Sequence, residues 1–190
     1  MNRGVEKLSE GKLQGQVLSD FKSFFDEESL GGLGERARSV KDGVLSEGRH
    51  RVVVLDFEKN GKRLKVAVKA FGRQGFLKDR YDFKKGSKAE RSFKAANFLK
   101  SRGVGTPQPI AYFDCWEGSR LVESFYLSDY LESLVSFKSA LIQAYEERAD
   151  CRFLVAKLDH IASAIRRMHD VGFWHRDLGC LLYTSPSPRD

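Results

Sequence analysis

Two β-branched runs, His50 to Phe57 and Arg63 to Phe71, are separated by Lys59-Asn60-Gly61-Lys62. An Asn-Gly pair supplies the two left-handed residues that a tight hairpin needs. This stretch is therefore committed to an antiparallel ribbon, and a ribbon of two strands is not stable alone. Candidates to extend it lie on both sides. Val40 to Leu45 precedes it through the connection Ser46-Glu47-Gly48-Arg49. Ile110 to Trp116 and Arg120 to Ser128 form a further pair around Glu117-Gly118. Between the two sets the period turns helical over Ser87 to Ser101, with Phe93, Ala96, Phe98 and Leu99 as core candidates. Gly103, Gly105, Pro107 and Pro109 close that helix. Gly72 to Gly86 reads as a basic, aromatic-studded connection. After Tyr130 the pattern is helical over Leu134 to Glu147 and again over Phe153 to His169, where Leu154, Leu158, Ile161, Ala162, Ile165 and Met168 share a face. Three strands, a helix, two strands and then helices predict an α+β fold of two lobes, the first built on a small antiparallel sheet.

Upstream, Val17 to Phe25 places Leu18, Phe21, Phe24 and Phe25 at helical spacing, and Gly31, Gly32 and Gly34 then break the chain. Residues 1–36 are expected to be a short amphipathic helix and a linker at the periphery. The 190 residues, 41% hydrophobic and 31% charged, suit a soluble globular core rather than disorder. No apolar run reaches the roughly 18 residues of a membrane span, and Met1 to Lys12 has no signal-peptide apolar region. Cys115, Cys151 and Cys180 form no CxxC pair, so reduced thiols and a cytoplasmic location are expected. The formal charge is +7, and Lys59 to Lys100 holds fourteen Lys or Arg against Asp79, Asp82 and Glu90. Such a basic half suits an anionic partner or a solvated lysine-rich face. No nucleic-acid module is present, so no nucleic-acid partner is expected. The last eleven residues, Cys180 to Asp190, read like the translation of a transposase-type sequencing adaptor. Native sequence is therefore expected to end at Gly179, with 180–190 a non-native tail.

Chemistry concentrates in two places. Val171 to Gly179, VGFWHRDLG, follows the last helix, and His175-Arg176-Asp177 matches the opening of a phosphotransferase catalytic loop. In such a loop the aspartate accepts the proton of the attacking hydroxyl, here Asp177. His175 would be a structural element of the loop and Arg176 would pair with acidic groups or phosphate. Val66-Ala67-Val68-Lys69 is the second place. Alternate strand residues share a face, so Ala67 and Lys69 point together while Val66 and Val68 face the core. A small Ala67 leaves room for an adenine ring, and Lys69 can reach the α- and β-phosphates. Glu90, the only acid in Ser87 to Ser101, is either the partner of that lysine or the carboxylate of the capping box Ser87-Lys88-Ala89-Glu90. Gly43 and Gly48 fall where a phosphate-covering loop would lie, without forming GxGxxG. Asp129 to Leu131 ends the fifth strand, where a hinge would meet adenine through backbone atoms.

Together, KVAVKAFGR (Lys65 to Arg73), SKAERSFKAANFLKSRGVGTPQPIAYF (Ser87 to Phe113), FYLSDYLE (Phe125 to Glu132) and GFWHRDLG (Gly172 to Gly179) resemble the lipopolysaccharide kinase family. The resemblance covers about residues 37–179. It implies a protein-kinase-like fold, with 37–131 as the N-lobe and 132–179 as the start of a helical C-lobe. It also implies ATP and Mg2+ as cofactors and transfer of the γ-phosphate to a Kdo or heptose hydroxyl on a lipid-linked acceptor. The expected location is cytoplasmic, peripheral on the cytoplasmic face of the inner membrane, with an anionic membrane surface as a further partner. Lys69 would bind the ATP phosphates and Asp177 would be the base. The family's catalytic-loop Asn falls at Leu182, inside the adaptor-like tail, and its later metal-binding Asp is absent, so this chain is expected to be an inactive fragment. Two other functions stay open on the residues alone. One is a different kinase-like phosphotransferase acting on protein or a small molecule, and the other is a non-catalytic pseudokinase or membrane-binding module.

Overall fold

The computed structural model describes residues 4–48, 50–72, 75–132, 137–147 and 151–174. The chain divides into two compact units, Met1–Ser101 with Thr106–Tyr130, and Arg102–Gly105 with Leu131–Asp190. The first unit holds a seven-stranded sheet whose pairings are all antiparallel. Its strands are β1 (Val5–Glu10), β2 (Leu13–Leu18), β3 (Val44–Ser46), β4 (His50–Lys59), β5 (Lys62–Phe71), β6 (Pro109–Glu117) and β7 (Arg120–Asp129). The spatial order is β1-β2-β6-β7-β5-β4-β3. The Asn-Gly turn forms as expected. Asn60 and Gly61 take φ of 51° and 71°, and Lys59 pairs with Lys62 across it.

Each face of the sheet packs its own layer. On one face Val53, Leu55, Phe57, Val66, Val68, Phe113, Phe125 and Leu127 form the main core with Phe25, Leu30, Leu33 and Ala37. The last three come from two short helices, α1 (Glu27–Leu30) and α2 (Leu33–Ser39). Phe25 meets Phe57 and Phe113 edge to face, with ring centroids 5.1 and 5.6 Å apart, a favourable aromatic geometry. On the other face lie α3 (Phe76–Lys85) and α4 (Lys88–Ser101). Ala89 and Phe93 of α4 seat on Leu18 and Tyr112, with Phe71 and Tyr126 beside them.

Four sequence expectations are corrected. Residues 17–25 are not a peripheral helix. Val17 and Leu18 end β2, and Ser19–Phe24 is a 3-10 turn. β1 and β2 extend the sheet through β6, with Val17 fully buried and Leu18 nearly so. The spacing of Leu18, Phe21, Phe24 and Phe25 mimics a helix, yet Leu13, Val17 and the glutamines between them alternate as a strand. The expected boundary at 36/37 falls inside α2. Val40 to Leu45 is not one strand either, since Val40 caps α2, and Gly43, at φ 89°, turns the chain before β3 begins at Val44. Finally, Gly72 to Gly86 contains a ten-residue helix, α3. Among its described side chains the buried ones are Asp79 and Asp82, which an apolar period does not pick out.

In the second unit, α5 (Phe137–Glu146) and α6 (Cys151–Asp170) fall where helices were expected. Gly172 follows α6 with φ 80°, the left-handed conformation common just past a helix end. Trp174 is 73% exposed and stacks on His169 with centroids 4.2 Å apart.

Candidate active site

β4, β5 and β7 lie side by side, and their register builds a small patch on the face that carries α4. Val52 pairs with Lys69 and Val54 with Ala67. On the other flank Lys69 pairs with Tyr126 and Ala67 with Ser128. Paired residues on adjacent strands point to one face, so these six side chains sit together. Val66 and Val68 point the other way, and both are fully buried in the main core. The patch is half-buried and largely apolar, with one ammonium group. Lys69 Nζ lies 5.3 Å from the centroid of the Phe71 ring. Among the described residues no carboxylate is within ion-pair distance of it. Burial pushes the Tyr126 phenol up to about 12, with the Ser128 hydroxyl beside it acting the opposite way. Such a surface suits a flat apolar ring with an anionic group beside it.

Val52, Val54, Tyr126 and Ser128 were not singled out from the sequence. Two of them were recoverable. Counting outward from the Asn60-Gly61 turn pairs Val54 with Ala67 and Val52 with Lys69. Tyr126 and Ser128 were not, because nothing local says that β7 lies beside β5.

The structure does not bring Glu90 to Lys69. Ser87 Oγ accepts a hydrogen bond from the Glu90 backbone N–H at 2.9 Å, which is half of a capping box. The Glu90 carboxylate pairs with Lys94, one turn on, at 2.5 Å. It lines a groove of about 380 Å3 with Lys7, Gln14, Gln16, Tyr112, Asp114 and Trp116. A larger hollow of about 540 Å3 is lined by Ala37, Arg38, Gly48, Arg51, Glu123 and Phe125 among others. Lys69 lines neither, so the candidate site is an open patch rather than a cavity among the described residues.

The expected loop glycines separate. Gly43 lies ahead of β3, where its carbonyl accepts a hydrogen bond from the Val54 N–H at 2.9 Å, and so it is outside the β3–β4 connection. Gly48 is in that connection and is exposed. At the end of β7, the Asp129 N–H donates to the Gln108 carbonyl and the Tyr130 N–H to the Lys65 carbonyl. Leu131 is exposed. His175, Arg176 and Asp177 lie outside the described residues, as does the adaptor-like segment Cys180 to Asp190.

A polar cluster sits beside the patch, between α3, α4 and the sheet. Asp79, Asp82, Ser87, Asp114 and Ser124 are all buried. Arg91 pairs with Asp82 at 2.9 Å and also donates to the Gly86 carbonyl. Burial pushes the Asp114 carboxyl up to about 6; the Ser124 and Ser87 hydroxyls favour its charged form, while Glu90 and Asp82 oppose it. The Ser124 hydroxyl lies near Asp114 but closes no full hydrogen bond, and Asp114 Oδ1 is likewise without a partner.

The model of the lipopolysaccharide kinase (Kdo/WaaP) family matches residues 71–181, more than half of the chain. The chain belongs to the lipopolysaccharide kinase family. The matched stretch runs from the last residue of β5 through α6 and includes His175 to Asp177, while Ala67 and Lys69 lie just ahead of it. No curated protein matches the chain. Among solved structures, WaaP in complex with acyl carrier protein matches at 20% identity with a TM-score of 0.47. The match covers 71% of this chain and 49% of that one, so this lipopolysaccharide-kinase chain spans about half the length of that solved relative.

Proposed function

We propose that this chain carries the nucleotide-binding part, and the opening of the catalytic loop, of an ATP-dependent kinase of two lobes. Its phosphoryl acceptor would be a sugar hydroxyl, on Kdo or heptose, of a lipid-linked lipopolysaccharide core at the cytoplasmic face of the inner membrane. The observation that carries this is Lys69 on a half-buried, mostly apolar patch, in a chain of the lipopolysaccharide kinase family. Ala67 and the valines across β4 leave a shallow apolar floor for an adenine ring, and Lys69 offers an ammonium to the α- and β-phosphates beside it. Bound Mg2+-ATP would supply the γ-phosphoryl group and the charge neutralisation that its transfer needs. Asp177 would orient the acceptor hydroxyl and take its proton as that oxygen bonds to the γ-phosphorus and the bond to the β–γ bridging oxygen breaks, releasing ADP. Arg176 would hold acidic or phosphate groups near the loop, and His175 would brace it. Gly48 would let the β3–β4 connection approach phosphate closely. Leu131 would meet the adenine edge, because the N–H groups of Asp129 and Tyr130 are engaged elsewhere.

Calorimetric titration of the chain with Mg2+-ATP tests the nucleotide site. Lys69→Ala should weaken binding about tenfold or more, the worth of a charge-assisted hydrogen bond to phosphate. Equal affinity in both proteins would remove Lys69 from the site.

A further inference from the structure

We propose that the outer face of α3, carried by Arg80, Tyr81, Phe83, Lys84 and Lys85, is a docking surface for an anionic phospholipid bilayer. Both acids of this helix are turned inward: Asp79 and Asp82 are 7% and 2% exposed. The outward face is left with cations and rings. Tyr81 is 57% and Phe83 58% exposed, and Arg80, Lys84 and Lys85 are exposed as well. At 3.6 residues per turn, Arg80 and Lys84 stack one turn apart in the middle of that face, with the two rings on opposite flanks. The cations differ from others in the first unit. Lys22 pairs with Glu6, Arg38 with Glu123, Arg51 with Glu47 and Lys59 with Asp26. Among the described residues Arg80, Lys84 and Lys85 have no ion-pair partner.

The rings are held in place rather than loose. Phe83 meets Trp116 edge to face at 5.5 Å, and the Arg91 guanidinium lies 5.5 Å from the Tyr81 centroid. Arg91 is itself anchored on buried Asp82. The Asp82–Arg91 pair therefore ties α3 to α4, with both acids on the side away from the exposed rings. Aromatic rings settle at the headgroup level of a bilayer, and cations near an anionic surface each add about fivefold to affinity. Two large exposed rings flanking a cationic ridge on a convex helix suit a lipid interface better than an acidic protein, which would need a complementary groove. Glu117, the residue after Trp116, is an exposed acid.

The test is co-sedimentation of the protein with vesicles of phosphatidylcholine containing about 30% phosphatidylglycerol, and with phosphatidylcholine alone. Binding is expected only with the anionic lipid, and it should weaken as salt rises. Arg80→Ser with Lys84→Ser and Lys85→Ser should lower the affinity tenfold or more, with the thermal unfolding midpoint unchanged because all three are exposed. Tyr81→Trp provides a second readout, since its emission should shift to the blue on anionic vesicles. Anionic binding that survives the triple substitution overturns the proposal. So does an absence of binding to the anionic vesicles, and binding of an acidic protein such as acyl carrier protein to the same residues would then name the other class of partner.

Discussion

Asp114 is a carboxyl group that the fold keeps almost entirely out of water, 4% exposed, with one oxygen lacking a partner. Its folded pKa of about 6 stands above the ordinary 3.8, so the folded state holds the proton longer than the unfolded chain does. The neutral form is tolerated below about pH 4, and the cost of burying the charge appears as pH climbs through 6. The full shift corresponds to about 3 kcal/mol. Asp114→Asn should thus gain up to about 3 kcal/mol over the wild type at pH 7.5 and little at pH 4, measured by urea unfolding at both values. The same gain at both pH values would mean that the carboxyl does not titrate with folding. Asp26 behaves oppositely. Lys59 and Ser29 hold it at about 2, so its contribution is present above pH 4 and is lost as pH falls toward 2. Lys69 shows what one residue inherits from its neighbours. The face it shares with Ala67 was legible from the period of Val66-Ala67-Val68-Lys69, because alternation along a strand is local. The destination of Glu90 was not legible, because a carboxylate at that helix position had two chemically sound partners and packing chose Lys94.

The β1–β2 hairpin extends the sheet at β6, where a close backbone approach is needed. A methyl group built on Gly15 would lie 1.8 Å from the Tyr112 carbonyl oxygen. Gly15→Val should therefore cost about 2 kcal/mol or more through the β2–β6 pairing. Gly11→Asn, at a left-handed turn position with open space around it, should cost far less, since Asn tolerates that conformation. Thermal unfolding of the two variants separates them, and equal midpoints would mean that β2 does not press on β6. α3 is the element that sequence periodicity could not reveal. Helix signals are read from apolar stripes, and here the inward residues include two aspartates whose burial depends on Arg91 and on the sheet. α6 forms where the helical period was read, yet Leu158 and Ala162 of its apolar stripe are exposed, Leu158 by 49%. A hydrophobic period marks what can be buried, and other elements decide how far it is.

At the scale of the whole molecule, the first unit is an antiparallel sheet packed on both faces, and the chain as a whole is a lipopolysaccharide-kinase sequence. The proposed division of labour predicts a split between binding and chemistry. In a catalytically active protein that carries this chain, Asp177→Ala should slow phosphoryl transfer to a Kdo- or heptose-bearing lipid acceptor by about a hundredfold or more. ATP affinity should stay within a few-fold, as read by calorimetry beside a radiolabelled transfer assay. Near wild-type turnover would remove Asp177 from the role of base. The antiparallel ribbon around Asn60-Gly61, helix α4, the β6–β7 pair and helix α6 were determined by the sequence by itself. So was the kinship, through short motifs at set spacings. All of these rest on turn chemistry, period or residue identity, which act over a few neighbours. Only the tertiary structure decided that residues 5–18 join the sheet, that 76–85 form a helix with its acids inside, that Gly43 stands ahead of β3, and that Glu90 turns toward Lys94. Each of those outcomes depends on which surface, distant along the chain, is there to bury a face or satisfy a charge, and a local pattern carries no record of that surface.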